Sequence, residues 1–107
     1  MEKSKAFTFI GFAIKARKVK MGVNAVKTLK KAELLILCHT ATENTLKEAV
    51  SLSNKLNAKL LILNEIELEK VTFKAGVKLI AITDKALSDA ILKSDERRLV
   101  EYLGGLL

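Results

Sequence analysis

Three short, unbroken aliphatic runs constrain this chain most: Leu34-Leu35-Ile36-Leu37-Cys38, Leu60-Leu61-Ile62-Leu63 and Leu79-Ile80-Ala81-Ile82. None alternates with polar residues. Continuous runs of this length suit strands covered on both faces, so helices must lie above and below them. The segments between supply those helices. Thr42 and Asp84 each precede a helical pattern, and their side-chain oxygens can satisfy first-turn N–H groups. The first pattern carries an apolar stripe of Leu46, Ala49, Val50 and Ser53; the second carries Leu87, Ala90 and Ile91.

Before the first run, Phe7, Phe9, Ile10, Phe12, Ala13 and Ile14 leave only a narrow polar stripe, which predicts a helix packed on most sides. A short extended piece around Val19-Lys20-Met21 then meets Gly22, and a helix is expected from Asn24 to about Lys31. Leu99, Val100 and Leu103 share a helical face, so residues 95–107 are expected as a C-terminal helical extension that could also seal a dimer. Together these predict one domain over residues 1–107, an α/β/α three-layer sandwich with a mixed, mostly buried sheet of about four strands. With no proline and 5 glycines in 107 residues, a turn-rich all-β design is disfavoured.

Charge narrows the function. Lys3, Lys5, Lys15, Arg17, Lys18, Lys20, Lys27, Lys30 and Lys31 fall before Ala32 without one acid between them, although the whole chain carries only +7. Such a field attracts a polyanion, and for a protein of this size that means RNA or DNA. The longest apolar runs are too short to span a bilayer, and the single cysteine, Cys38, cannot form an internal disulfide, which fits a cytoplasmic setting. There is neither a GxGxxG nor a GxxxxGK[ST] phosphate cradle, and no GxSxG elbow. Cys38 and His39 are adjacent, so on a strand they point to opposite faces and make a poor nucleophile–base pair. No catalytic residue, metal ligand or cofactor is expected.

Arg17-Lys18-Val19-Lys20-Met21-Gly22-Val23-Asn24 is the most informative local pattern. It sets cations before a glycine turn, then opens a helix whose free N–H groups suit a phosphate. The Asn24 amide both donates and accepts, so it can read a base edge or cap the helix. Glu65, Glu67 and Glu69 alternate with Ile66 and Leu68, a pattern expected on a solvated edge or loop.

Ile10-Gly11-Phe12-Ala13-Ile14-Lys15-Ala16-Arg17-Lys18 followed by Met21-Gly22, Ala41-Thr42-Glu43-Asn44-Thr45, and Val77-Lys78-Leu79-Ile80-Ala81-Ile82-Thr83-Asp84 occur in this order. In order and spacing they resemble the kink-turn RNA-binding ribosomal-protein family of the L-seven-Ae and L-thirty-e type, in its bacterial YlxQ-like branch, from about Phe9 to Leu92. The resemblance implies a non-catalytic cytoplasmic protein that recognises structured RNA, with Arg17, Lys18, Lys20, Gly22, Asn24, Lys27, Thr28 and Lys31 at the RNA. It also implies a second RNA loop at about Glu65 to Val71, carrying Leu68 and Val71. Ala25 stands where the family has glutamate, and Thr28 where it has lysine. A protein-interaction module that kept the fold and lost the kink-turn contact is the alternative. The monomer is the expected state.

Overall fold

The computed structural model describes residues 4–103. The order is α1 (Lys5–Lys15), β1 (Val19–Met21), α2 (Val23–Lys27), β2 (Leu34–Cys38), α3 (Glu43–Leu56), β3 (Lys59–Leu63), α4 (Leu68–Thr72), β4 (Leu79–Ile82), α5 (Lys85–Lys93) and β5 (Leu99–Glu101). The five strands form one mixed sheet in the order β1-β4-β2-β3-β5. β2 and β3 are parallel, and every other pairing is antiparallel.

The aliphatic runs form the middle of this sheet. All five residues of β2 and all four of β4 are buried. Strand periodicity divides them: Leu34, Ile36 and Cys38 join one core with Ala6, Ile10 and Ala13 of α1, Leu68 and Val71 of α4, and Ile91 of α5. Leu35 and Leu37 join a second core with Val26 of α2 and Ala49, Leu52 and Leu56 of α3. Helices therefore cover both faces, which explains why the runs do not alternate.

The local signals act as expected at two helix starts. The Thr45 N–H donates to Thr42 Oγ1 at 3.1 Å, and the Leu87 N–H donates to Asp84 Oδ2 at 2.8 Å. Helix α3 buries Leu52 and Leu56 beside Ala49, so its inward stripe lies further round than Leu46, Val50 and Ser53 suggested. Helix α1 is not enclosed on most sides, because Phe12 is 52% exposed and stacks edge-on against Phe9.

Three expectations require correction. The sheet has five strands where about four were expected. The fifth is Leu99–Glu101, where a C-terminal helix was expected, so a dimer sealed by that helix has no helical basis within residues 95–103. Residues 104–107 of the expected extension lie outside the described residues. Three apolar residues are too few for periodicity to separate helix from strand, and β3 offers an edge whose backbone groups need partners. Asp95 turns the chain at φ 62°, the Asn64 N–H donates to Arg98 O, and Val100 pairs with Ile62.

Glu96 fixes that turn. Its carboxylate accepts from Arg98 Nε at 2.7 Å, Arg98 Nη2 at 3.1 Å and the Arg98 N–H at 3.1 Å. The Arg98 guanidinium also lies 4.8 Å from the centre of the Phe7 ring, tying the turn to α1. The third correction concerns α2, which spans only Val23–Lys27 and does not reach Lys31.

Candidate nucleic-acid interface

Strand β1 is antiparallel to β4, and β4 is antiparallel to β2, so β1, β2 and β3 all end at the same end of the sheet. The β1–α2, β2–α3, β3–α4 and α4–β4 connections therefore gather there. Backbone bonds hold them together: the Gly22 N–H donates to Leu79 O, the Cys38 N–H to Lys78 O, and the His39 N–H to Leu63 O.

The basic segment folds along the β1 edge. Arg17 and Lys18 lie at the end opposite the glycine turn, where Lys18 O accepts the Thr83 N–H at 2.9 Å. Lys20 is exposed in the middle of β1. At the far end Gly22 adopts φ 92° and ψ 153°, a conformation open essentially to glycine alone. A Cβ there would meet no atom within 4 Å, so the backbone angle, not crowding, requires the glycine. Open space in front of it leaves the backbone approachable. Helix α2 then carries the chain back towards Lys31 and Glu33, whose N–H donates to Ile82 O.

Asn24 does not cap the helix. Gly22 occupies that position without a side-chain bond, and Asn24 lies inside α2 with its side chain exposed. The Asn24 amide makes no hydrogen bond among the described residues. Lys27 is engaged by Glu48 at 3.1 Å, and Lys31 lies 3.9 Å from Glu33 while remaining 83% exposed. Thr28 ends α2 by donating its hydroxyl to Ala25 O at 2.7 Å. Arg17, Lys18 and Lys20 have no carboxylate at ion-pair distance among the described residues. Arg17, Lys18, Lys20 and Asn24 are thus accessible with nothing competing for them, whereas Lys27 has to leave an acid to reach a phosphate.

The expected second loop is placed differently. Leu68 is 0% and Val71 7% exposed; both lie in the core beneath α1 and cannot touch an RNA. The neighbouring acids are largely committed within the fold. The Thr40 hydroxyl donates to Glu67 Oε1 at 2.9 Å and accepts from Lys78 Nζ at 2.7 Å, while Lys78 also reaches Glu67 Oε1 at 3.2 Å. Hydrogen bonds from Thr40 and then Lys78 hold the Glu67 carboxyl below its usual range, and its carboxylate holds the Lys78 ammonium above its own. Glu69 accepts the Gly76 N–H at 3.1 Å. Glu67 thus clasps α4 to the ends of β2 and β4 and is neutralised by Lys78, Glu69 braces the α4–β4 loop, and Glu65 is exposed.

Thr40, Lys78 and Phe73 belong to this end of the sheet, and sequence reasoning passed over all three. Lys78 sat beside an apolar run and read as part of a strand. Phe73 was visible as an aromatic followed by Lys74, with Lys70 three residues before it.

Cys38 is buried, with Sγ 3.1 Å from Thr40 Oγ1 and accepting the Leu68 N–H at 3.4 Å, while His39 Nδ1 lies 3.0 Å from Leu63 O. Among the described residues no group of three or more His, Cys, Asp or Glu could hold a metal ion, and no helix is long and apolar enough to cross a membrane. An open groove of about 400 Å³ lies beside β5 and the end of α5. It is lined by Lys59, Arg97, Asp95, Glu96 and Glu101, with no single charge prevailing. Neither a family model nor a curated protein matches the chain.

Proposed function

We propose that the chain is a non-catalytic, cytoplasmic RNA-binding protein of the kink-turn ribosomal-protein type, in its bacterial YlxQ-like branch, with the three-layer sandwich of the L-thirty-e type. Arg17, Lys18 and Lys20 neutralise phosphates along the β1 edge. Gly22 admits the RNA backbone, and Asn24 offers its amide to a base edge. Lys27, Thr28 and Lys31 are peripheral. One observation carries this reading: an unspent Asn24 amide, exposed beside a positive-φ glycine, at the edge that holds the unpaired cations. The committed state of Glu67 supports it further, because that acid repels phosphate less than its formal charge suggests.

Mobility-shift titrations at several salt concentrations test it, using a kink-turn RNA and a straight duplex of equal length. With about four cations on phosphate, log affinity falls with log salt at a slope of about −3 to −4. The kink-turn RNA binds more tightly, and Asn24→Ala removes that preference. Equal weak binding to both RNAs refutes the kink-turn recognition, and no binding at low salt refutes the RNA reading altogether.

A further inference from the structure

The two edges of the sheet are guarded unequally. Lys20 is exposed at the middle of β1, so a second β1 edge laid beside it would meet like charge. The other edge is β5, whose middle residue is Val100, 50% exposed. Half of the β5 backbone is spent on β3. The Tyr102 N–H donates to Leu60 O, the Asn64 N–H donates to Arg98 O, and Val100 stands opposite Ile62. The alternation of an antiparallel ladder therefore turns Leu99 and Glu101 outward. The Leu99 N–H closes the preceding turn on Glu96 O at 3.1 Å. Leu99 O and both backbone groups of Glu101 face outward with no strand beside them among the described residues.

The surroundings of this edge select the partner. Leu92, Val100 and Leu103, three of the five exposed large apolar residues described, lie at the end of α5, in β5 and just after it. The groove beside them sets Lys59 and Arg97 against Asp95 and Glu101. A partner carrying one sign of charge would meet like charge in half of these residues. A twofold interface lays a patch on itself, so each charge must find its opposite within the same patch, and this patch holds both signs. An antiparallel pairing centred on Val100 meets these conditions. It sets each Glu101 N–H against the partner's Leu99 O and buries Val100 against the partner's Val100. It also brings the exposed Arg97 turn alongside the partner's Glu101, a carboxylate that Lys59 holds only loosely, at 4.0 Å.

We propose that the open edge of β5 is a homodimerisation surface, where a second copy of this chain adds its own β5 antiparallel and joins two five-stranded sheets into one of ten strands. The strand order places each β1 at an outer end of the joined sheet, so both basic edges stay exposed. The dimer does not depend on the RNA-binding reading; together with that reading it makes a bivalent binder.

Sedimentation equilibrium of the full chain from about 1 μM to about 1 mM tests it. The apparent mass is expected to rise from 11.8 kDa towards twice that value. Val100→Lys gives β5 the guard that β1 already has, and is expected to weaken the dimer by about 10-fold or more while circular dichroism shows it folded. Val100→Cys is expected to form an intermolecular disulfide under a mild oxidant, because the two Cα atoms of such an opposed pair lie about 4.5 Å apart. Cys38 is buried and does not compete. Lys20→Cys, at the other edge, is expected to remain uncross-linked. A wild type that stays at 11.8 kDa at every concentration overturns the proposal. A dimer that Val100→Lys leaves at wild-type strength overturns it too, because the contact then lies on another surface. Equal cross-linking of Val100→Cys and Lys20→Cys does the same, and that comparison decides where Val100→Lys does not fold.

Discussion

Glu96 makes the stability of this fold depend on pH in a way that can be worked out from its contacts. Its side chain is 10% exposed and that of Arg98 18%, so solvent screens the pair weakly. Hydrogen bonding by Arg98, with a further bond from Ser4, holds the Glu96 carboxyl down to about 2 from its ordinary 4.5. Because the folded state binds its proton more weakly than the unfolded chain, the stabilisation is complete above pH 4.5 and is lost as pH falls through 2. A difference of this size contributes about 3 kcal/mol at neutral pH, of which about 2 kcal/mol is gone by pH 3. Glu96→Gln keeps the shape and removes the charge. The variant is therefore expected to be about 3 kcal/mol less stable than the wild type at pH 7 and about 1 kcal/mol less stable at pH 3. Urea unfolding followed by circular dichroism measures both gaps without adding salt that would screen the pair. A gap that does not change with pH refutes the reasoning, because it would show that Glu96 acts through packing and not through its charge.

Leu68→Ala empties a fully buried site and should cost about 2–5 kcal/mol; an unchanged unfolding midpoint would return Leu68 to the surface. Gly22→Ala should cost about 1–3 kcal/mol through its backbone angle alone, measured by the same unfolding series, and no loss would mean that the turn relaxes freely. Lys78→Met should raise the Glu67 carboxyl towards its ordinary range, followed by NMR titration of its side-chain carbon, and an unmoved titration would show that Thr40 alone sets it. Cys38 should react with a thiol reagent only as fast as the protein opens, so its alkylation should accelerate with urea, and rapid labelling of the native protein would contradict its burial.

The fold was legible in the central strands, where burial is complete on both faces. The runs at Leu34 and Leu79 could only be central strands, because residues pointing to both faces were aliphatic and helical segments stood between them to cover each face. The caps at Thr42 and Asp84 were legible for a different reason: a short polar oxygen before a helical pattern has a local job that tertiary context does not override. Leu99-Val100-Glu101 was not legible. Its choice of strand over helix depends on the open edge of β3 and on the Arg98 contact with Phe7, which are long-range, while the Glu96–Arg98 turn is local but carries no periodicity to read. The second apolar loop failed similarly. Leu68 and Val71 look exposed among three glutamates, yet they lie three apart on the inward side of a five-residue helix.

The same distinction governs the candidate site. Sequence charge pointed to the segment that forms the β1 edge, where Arg17, Lys18 and Lys20 are exposed, but Lys27 and Lys31 lie beside acids that the count of nine cations passed over. Counting charges misjudged the acids, since Lys78 lies eleven residues beyond Glu67 and only the strand order brings them together with Thr40. That clasp has a consequence for recognition. In the proposed reading, an RNA approaching the Gly22 turn meets a sheet end where Glu67 already holds Lys78, so that acid offsets less of the attraction by the β1 edge. It also means that Lys78, the cation closest to the turn from the α4–β4 side, is spent on Glu67 and adds little to phosphate binding. In the proposed RNA-binding reading, specificity at this end then rests on groups that carry no net charge, and the exposed Asn24 amide is one that has no hydrogen-bond partner among the described residues.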